Sequence, residues 1–395
     1  YLINKITGEI KNVVLSKNFE DRKWLTPTNS ILLTNNTIWI GSQYGVGWIK
    51  DIVTPFSGFY NSLDGTGVKI EHSVTLCQAD DSTIAICGDD DMYLSNHFTG
   101  VIKKMKIPDF YFHAFKAPGN YIIAAGLRTG LRVIDKTGKI VLLQKIFPEL
   151  MPIQNDLLIS SAQAGDSIYY LASQNQKGLY IWNYKTKNLL VINADSKPVS
   201  LKSNVINRLY IDKKNLLWIL GDNTVAIYDP QKKKIENLTL INPRTNLPLS
   251  INMDICENSG KYWIATYGTG IVELNADKEI SHIYAAKNGI NNLGLYKIFS
   301  LNDSLLITSS NSGLSILNVR TGMVNNYFEE SGLQSNNFEE TSGCVNEDYI
   351  FLGGLKGFTK IDKKYFPLPK NSYKLFFSSI QISRVTGTTD TTNLF

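Results

Sequence analysis

A chain of 395 residues ordinarily suggests two or three domains, but 43% apolar residues with 20 Tyr and 17 Phe suit one large strand-rich core. Forty Lys and Arg against 35 Asp and Glu leave a net charge of +5, spread in short runs such as Lys232, Lys233 and Lys234. That pattern argues against nucleic-acid binding, which needs a concentrated basic face, and no run approaches the roughly 18 apolar residues of a membrane helix.

Residues 1–15, YLINKITGEIKNVVL, read as the last two strands of a repeat around a ThrGlyGlu turn, with nothing before them. A chain that opens inside a repeat reads as a piece of a longer protein. Eight units follow at intervals of about 38 to 48 residues, each a strand, a polar turn, an apolar strand, a turn and a strand of the type Gly-Leu-x-x-Ile-Asp. The second strand of each is the most regular: TIWIGS (37–42), STIAICG (82–88), YIIAAGL (121–127), SIYYLAS (167–173), LLWILGD (216–222), KYWIATY (261–267), LLITSS (305–310) and YIFLGG (349–354). The third follows as GVGWIK, DMYLSN, GLRVID, GLYIWN, TVAIYD, GIVELN, GLSILN and GFTKID, and most then turn through ThrGly or AspPro into an outer strand.

This repeat predicts an all-β fold, a β-propeller of four-stranded antiparallel blades. The eight units close as seven or eight blades. The first, 29–60, is the least regular, because PFSGFYNSLDGTG is a poor outer strand. The last, 338–364, has no clear fourth strand, so residues 9–15 are expected to supply it and close the ring. The propeller then spans 1–369. Residues 370–395 begin another unit or a cut tail, with a strand over 374–383 and a polar end over 386–395.

The repeat assigns several conspicuous residues to the core. Counting back seven from Trp218, Trp263 and Phe351 reaches Ile211, Cys256 and Cys344, so cysteine stands where isoleucine stands. Cys77 and Cys87 lie on consecutive strands and read as core thiols, a cross-strand disulfide being the alternative. Trp39, Trp218 and Trp263 share one strand position and are expected to pack between blades, and Trp48 and Trp182 likewise on the third strand. Trp24 has no account from the repeat. His72, His97, His113 and His282 fall in different repeats and read as turn or surface residues, without zinc-ligand spacing. Asp89, Asp90 and Asp91 read as a solvated turn, since the Asp-x-Asp-x-Asp-Gly loop of a calcium site is missing. No cofactor motif and no nucleophile elbow appears.

The phrases IWIGSQYGVG, YWIATYGTG and LLWILGD, with the interblade segments KSNVI (202–206) and GLQSNNF (332–338), resemble the regulator-propeller repeats of two-component sensors. The run YIFLGGLKGFTKID (349–362), then Pro367 and the IleGlnIle strand, is similar to that family's last blade leading into an immunoglobulin-like juxtamembrane unit. The likeness covers nearly the whole chain. Departures are Ala85 and Ala124 or Ala125 in place of the motif Trp, and its absence from 305–310. The resemblance implies a periplasmic, non-enzymatic sensor domain of a histidine kinase or hybrid two-component protein, sensing an oligosaccharide or another small polar ligand. It also implies membrane attachment through flanking regions and allows a homodimer.

In a propeller the turns between the second and third strands gather at one mouth of the central channel, where ligand sites favour convergent loops. In register they give Tyr44, Asp90, Arg128, Gln174, Asn223, Tyr267, Asn311 and Lys356 as candidate ligand-binding residues. Most of this ring offers hydrogen bonds and stacking, and Arg128 and Lys356 offer charges for a carboxylate or sulfate. Two other readings stay open: a propeller glycosidase or lyase, whose paired carboxylates would come from separate blades, and a protein-binding scaffold.

Overall fold

The computed structural model describes residues 2–3, 10–11, 28–34, 37–42, 45–50, 55–366, 379–383 and 389–393. The chain divides into two compact units, Tyr1–Thr54 and Pro55–Phe395. In the first, Leu2–Ile3 pairs with Ile10–Lys11, and Thr28–Thr34, Thr37–Ser42 and Gly45–Lys50 form a three-stranded antiparallel sheet with Trp39 opposite Trp48.

The second unit holds seven four-stranded antiparallel sheets, the blades of a seven-bladed β-propeller. Each is lettered a to d from the channel outward. Blade 1 runs Thr75–Gln78, Thr83–Cys87, Met92–Asn96 and Ile102–Met105. Blade 2 runs Tyr111–Ala117, Tyr121–Gly126, Gly130–Ile134 and Ile140–Val141. Blade 3 runs Leu158–Ala164, Ile168–Ser173, Leu179–Asn183 and Asn188–Ile192. Blade 4 runs Arg208–Ile211, Leu217–Gly221, Thr224–Asp229 and Lys234–Leu238. Blade 5 runs Asn252–Asn258, Lys261–Thr266, Ile271–Leu274 and Ile280–Tyr284. Blade 6 runs Leu295–Asn302, Leu305–Ser310, Gly313–Asn318 and Val324–Tyr327. Blade 7 takes Phe338–Val345, Tyr349–Gly354 and Gly357–Asp362 from the end of the ring and Phe56–Phe59 from its beginning. The seven a strands neighbour one another in a closed cycle around the channel.

The closing strand therefore differs from expectation. Phe56 pairs with Ile361 and Phe59 with Phe358, so the segment that looked like a poor outer strand is the outer strand of another blade, and residues 9–15 do not fill that place. Its composition misled because d strands carry the weakest apolar pattern: Asn188–Ile192 and Lys234–Leu238 bury no residue fully. Strand b is the opposite. All five residues of Leu217–Gly221 and all six of Leu305–Ser310 are buried, because a b strand is covered by the blades on both sides. Full burial on two faces is why strand b is the clearest element in the sequence. At the C-terminus Ser379–Ser383 pairs with Thr389–Asn393, where a polar end was expected.

Seven apolar clusters lie one between each pair of neighbouring blades. Trp218 of blade 4 packs with Tyr262 and Ile264 of blade 5, and Trp263 with Leu295 and Ile298 of blade 6. Each fully buried side chain of this size contributes about 1.5–3 kcal/mol, so the ring is held mainly by its interblade seams. Trp182 is buried between blades 2 and 3. Trp24 and the side chains of Trp39 and Trp48 lie outside the described residues. The strand register also settles the cysteines. Cys256 faces Trp263 and Cys344 faces Phe351 as counted, whereas Tyr210, not Ile211, faces Trp218, because the turn after Ile211 is longer. Cys77 faces Ala85 and not Cys87, and all four cysteines are free thiols. Two histidines correct the surface reading: His97 and His113 are buried.

The recurring Gly that opens strand c has a steric cause. Gly270 has φ 103°, and a Cβ there would fall on the Tyr284 carbonyl oxygen; Gly357, φ 83°, stands in the same relation to Phe59. Left-handed backbone and close approach to strand d both exclude a side chain.

Candidate ligand site at the channel mouth

Each b–c turn is held by the residue that leads into strand a of its own blade. Asp109 accepts from the Arg128 and Thr129 amides (3.1 and 2.9 Å) and from the Thr129 hydroxyl, which fixes the turn GlyLeuArgThrGly. Asn207 Nδ2 donates to Asp222 at 2.8 Å, and Asn292 Nδ2 to Asn311 Oδ1 at 2.7 Å. Short polar residues at these joints satisfy turn amides that would otherwise have no partner. The SerAsn segments between blades serve a different set of amides, just after an outer strand: Asn204 Oδ1 accepts from Ala194 and Asn336 Oδ1 from Glu329, both at 2.8 Å.

On this frame the turn residues separate into two groups. Gln174 and Tyr267 line a cavity of about 280 Å³ at the mouth. The others do not. Asp90 and Arg128 pair with each other at 3.0 Å, and Arg128 also reaches Asp109 at 3.4 Å, so its guanidinium is spent between two carboxylates. Lys356 pairs with Glu329 at 3.4 Å. Asn311 accepts from Asn292, and Asn223 takes the left-handed conformation, φ 55°, that turns strand b into c. Tyr44 lies outside the described residues. The acidic run is more than a solvated turn: Asp89 meets His72 at 2.7 Å and Asp91 meets Lys104 at 2.6 Å.

The cavity is completed by Ile159, Asn207, Asp222, Ile251, Met253, Lys297, Glu340 and Thr341. Most of these come from the first residues of strand a, where the a–b register slips. Blade 3 slips between Leu158 and Ser160, blade 5 between Asn252 and Asp254, blade 6 between Leu295 and Ile298, and blade 7 between Phe338 and Gly343. Of the skipped positions, Ile159, Met253, Lys297, Glu340 and Thr341 line the cavity, whereas Tyr296, Glu339 and Ser342 do not. A bulge re-aims the extra side chain, and here repetition of the bulge in blade after blade builds the wall. Sequence reading missed these residues because period-two alternation breaks at a bulge.

Tyr267 is 45% exposed, and its ring lies 6.3 Å from that of Tyr296 at an interplanar angle of 21°, a supported aromatic face over the cavity. Deeper charges are mostly matched. Arg208 Nε donates to Asp254 at 2.8 Å, and Asp254 also accepts from the Ile255 and Ile298 amides. His113 donates to or accepts from Ser161 Oγ at 2.9 Å, and burial, then Arg208 and Lys297, pull its imidazole down to about 3. Burial and the nearby Arg208 pull the Lys297 ammonium down to about 7, against Asp254 and Glu340. Desolvation by the channel wall, then Glu339, raise the Glu340 carboxyl. Among the described residues no group of three His, Cys, Asp or Glu is placed to hold a metal, and no helix is long and apolar enough to cross a membrane.

No family model and no curated protein matches the chain. Solved structures do. The extracellular domain of the hybrid two component system BT3049 from B. thetaiotaomicron aligns with a TM-score of 0.68 at 15% identity, over 85% of this chain and 45% of that one. The extracellular domain of the one component system BT4673 from the same organism gives 0.47 at 15% identity, over 93% and 66%. YCF48 bound to D1 peptide gives 0.55 at 11% identity, over 77% and 99%. The chain thus spans less than two thirds of the B. thetaiotaomicron domains it matches. What the first and third share with this chain is its fold, the β-propeller.

Proposed function

We propose that the chain is a periplasmic ligand-binding sensor domain of a two-component signalling protein, attached to the membrane through flanking regions, and that it takes an oligosaccharide or another small polar ligand at the channel mouth. One observation carries this reading: the cavity beside Tyr267. At about 280 Å³ it stands at the low end of small-molecule sites. It combines a supported aromatic face with the amide of Gln174, the carboxylate of Asp222 and the hydroxyl of Thr341. An aromatic plane beside hydrogen-bonding groups suits a molecule with apolar faces and polar edges, as a sugar ring has. A sensor needs binding without turnover, and a homodimer would let two kinases meet.

Calorimetry against an oligosaccharide panel tests the reading. A member should bind, and Tyr267→Ala should weaken it about tenfold through loss of the stacking face. No binding by any member removes the glycan version. Turnover of a member, abolished in Glu340→Gln, would replace the sensor by a glycan-cleaving enzyme.

A further inference from the structure

Lys297 is the third residue of strand a in blade 6, within the bulge, and only 3% of it is exposed. Its stem lies over blade 7: a Cβ added to Gly343 would stand 3.0 Å from Lys297 Cγ. Gly343 thus leaves the groove in which the stem runs. The ammonium forms no hydrogen bond and no ion pair among the described residues, although the backbone amide donates to Ser309 Oγ at 3.3 Å. The neighbouring acids are committed or distant. Asp254 is held by Arg208 at 2.8 Å, Glu339 by His72 at 2.9 Å, and Glu340, on the same cavity wall, is farther than ion-pair range. A buried cation without a counter-charge is costly, and a protein that retains one at a cavity wall has left the counter-charge to be supplied.

We propose that Lys297 is the recognition point for a carboxylate on the ligand at the channel mouth, so that the small polar molecule sensed is an acid, such as a uronic-acid sugar. This rests on the channel-mouth reading above and sharpens it. A monoanion matches one ammonium, a compact point charge with three donors. A dianion would meet uncompensated repulsion from Asp222 and Glu340, which line the same cavity. The carboxylate would restore the charge that burial weakens, so binding takes up a proton near neutral pH, and affinity falls as pH rises above about 7. The groups acting on Lys297 are Arg208 from blade 4, Asp254 from blade 5, and Glu340 and Cys344 from blade 7, with neutral His113 from blade 2.

The test is calorimetry at pH 6 and pH 8 with uronic-acid oligosaccharides and their carboxyl-reduced counterparts, on the wild type, Lys297→Met and Glu340→Gln. Expected is binding of the acids at least tenfold tighter than of the reduced sugars at pH 6, a smaller margin at pH 8, and no margin in Lys297→Met. Glu340→Gln should bind the acids more tightly. A thermal melt of Lys297→Met controls for folding, and replacing a buried charge by a similar apolar chain should not lower it. Equal binding of acidic and reduced sugars, or a margin that survives Lys297→Met, overturns this inference while leaving the channel-mouth reading in place. Failure of both sugar series to bind overturns the two together.

Discussion

At the scale of single residues, the ring depends on a few carboxylates buried among hydrogen-bond donors. Asp212 accepts from the Lys214 and Leu216 amides (both 2.9 Å), the Trp218 indole at 3.0 Å and the Tyr262 hydroxyl at 2.9 Å, and so ties blade 4 to blade 5. Asp156 does similar work in blade 3, taking the Tyr180 hydroxyl at 2.6 Å and Asn175 at 2.7 Å. Removing such an acceptor strands buried donors, each costing about 1–3 kcal/mol. Asp212→Ala should therefore lose about 3 kcal/mol of unfolding free energy in urea, and a midpoint equal to wild type would refute that role. Trp218 was legible as core from the repeat. Its partner Asp212 was not, because it sits in a turn where an acidic residue reads as solvated.

The blade is the next scale, and its weak point is the seam between first and last. Blade 7 meets blade 1 through His72, whose Nδ1 lies 2.7 Å from Asp89 and whose Nε2 lies 2.9 Å from Glu339. Only a doubly protonated imidazole donates to both carboxylates, and the hydrogen bond to Glu339 is the main cause of its raised pKa. A raised folded-state value makes the contribution complete below about 6.5, the unfolded value, and removes it as pH rises through the folded one. The wild type should therefore lose stability relative to His72→Gln as pH rises above about 6.5, read as converging melting temperatures; a constant difference would exclude the clamp. His113 works in the opposite sense, losing stability below 6.5, so only the difference between variants isolates His72. Register explains what could be read of these elements. Gln174 and Tyr267 emerged because turn position alone placed them. The ion pairs of Arg128 and Lys356 were not legible, because Asp90 and Glu329 come from neighbouring blades that no local pattern connects.

For the whole molecule, the strand Phe56–Phe59 decides whether seven blades form a ring. Phe56 is buried, with its ring 5.2 Å from that of Tyr327 in blade 6 and 6.3 Å from that of Phe366. Phe56→Ala should cost about 3–5 kcal/mol and expose the seam, so limited proteolysis should cut first near residues 60–74. Cleavage unchanged from wild type would deny the strand its closing role. Eightfold repetition made the fold legible, yet it concealed the closure, since a strand borrowed from the far end of a chain leaves no trace in either local sequence.

That borrowed strand also sets an order on synthesis. Phe56–Phe59 leaves the ribosome roughly three hundred residues before Gly357–Asp362, its hydrogen-bonding partner. Six blades can form as they emerge, but the earliest strand must wait for the last one, with its backbone edge unmatched meanwhile. A chain ended before Gly357 is accordingly not a smaller propeller but an open arc with two sticky ends.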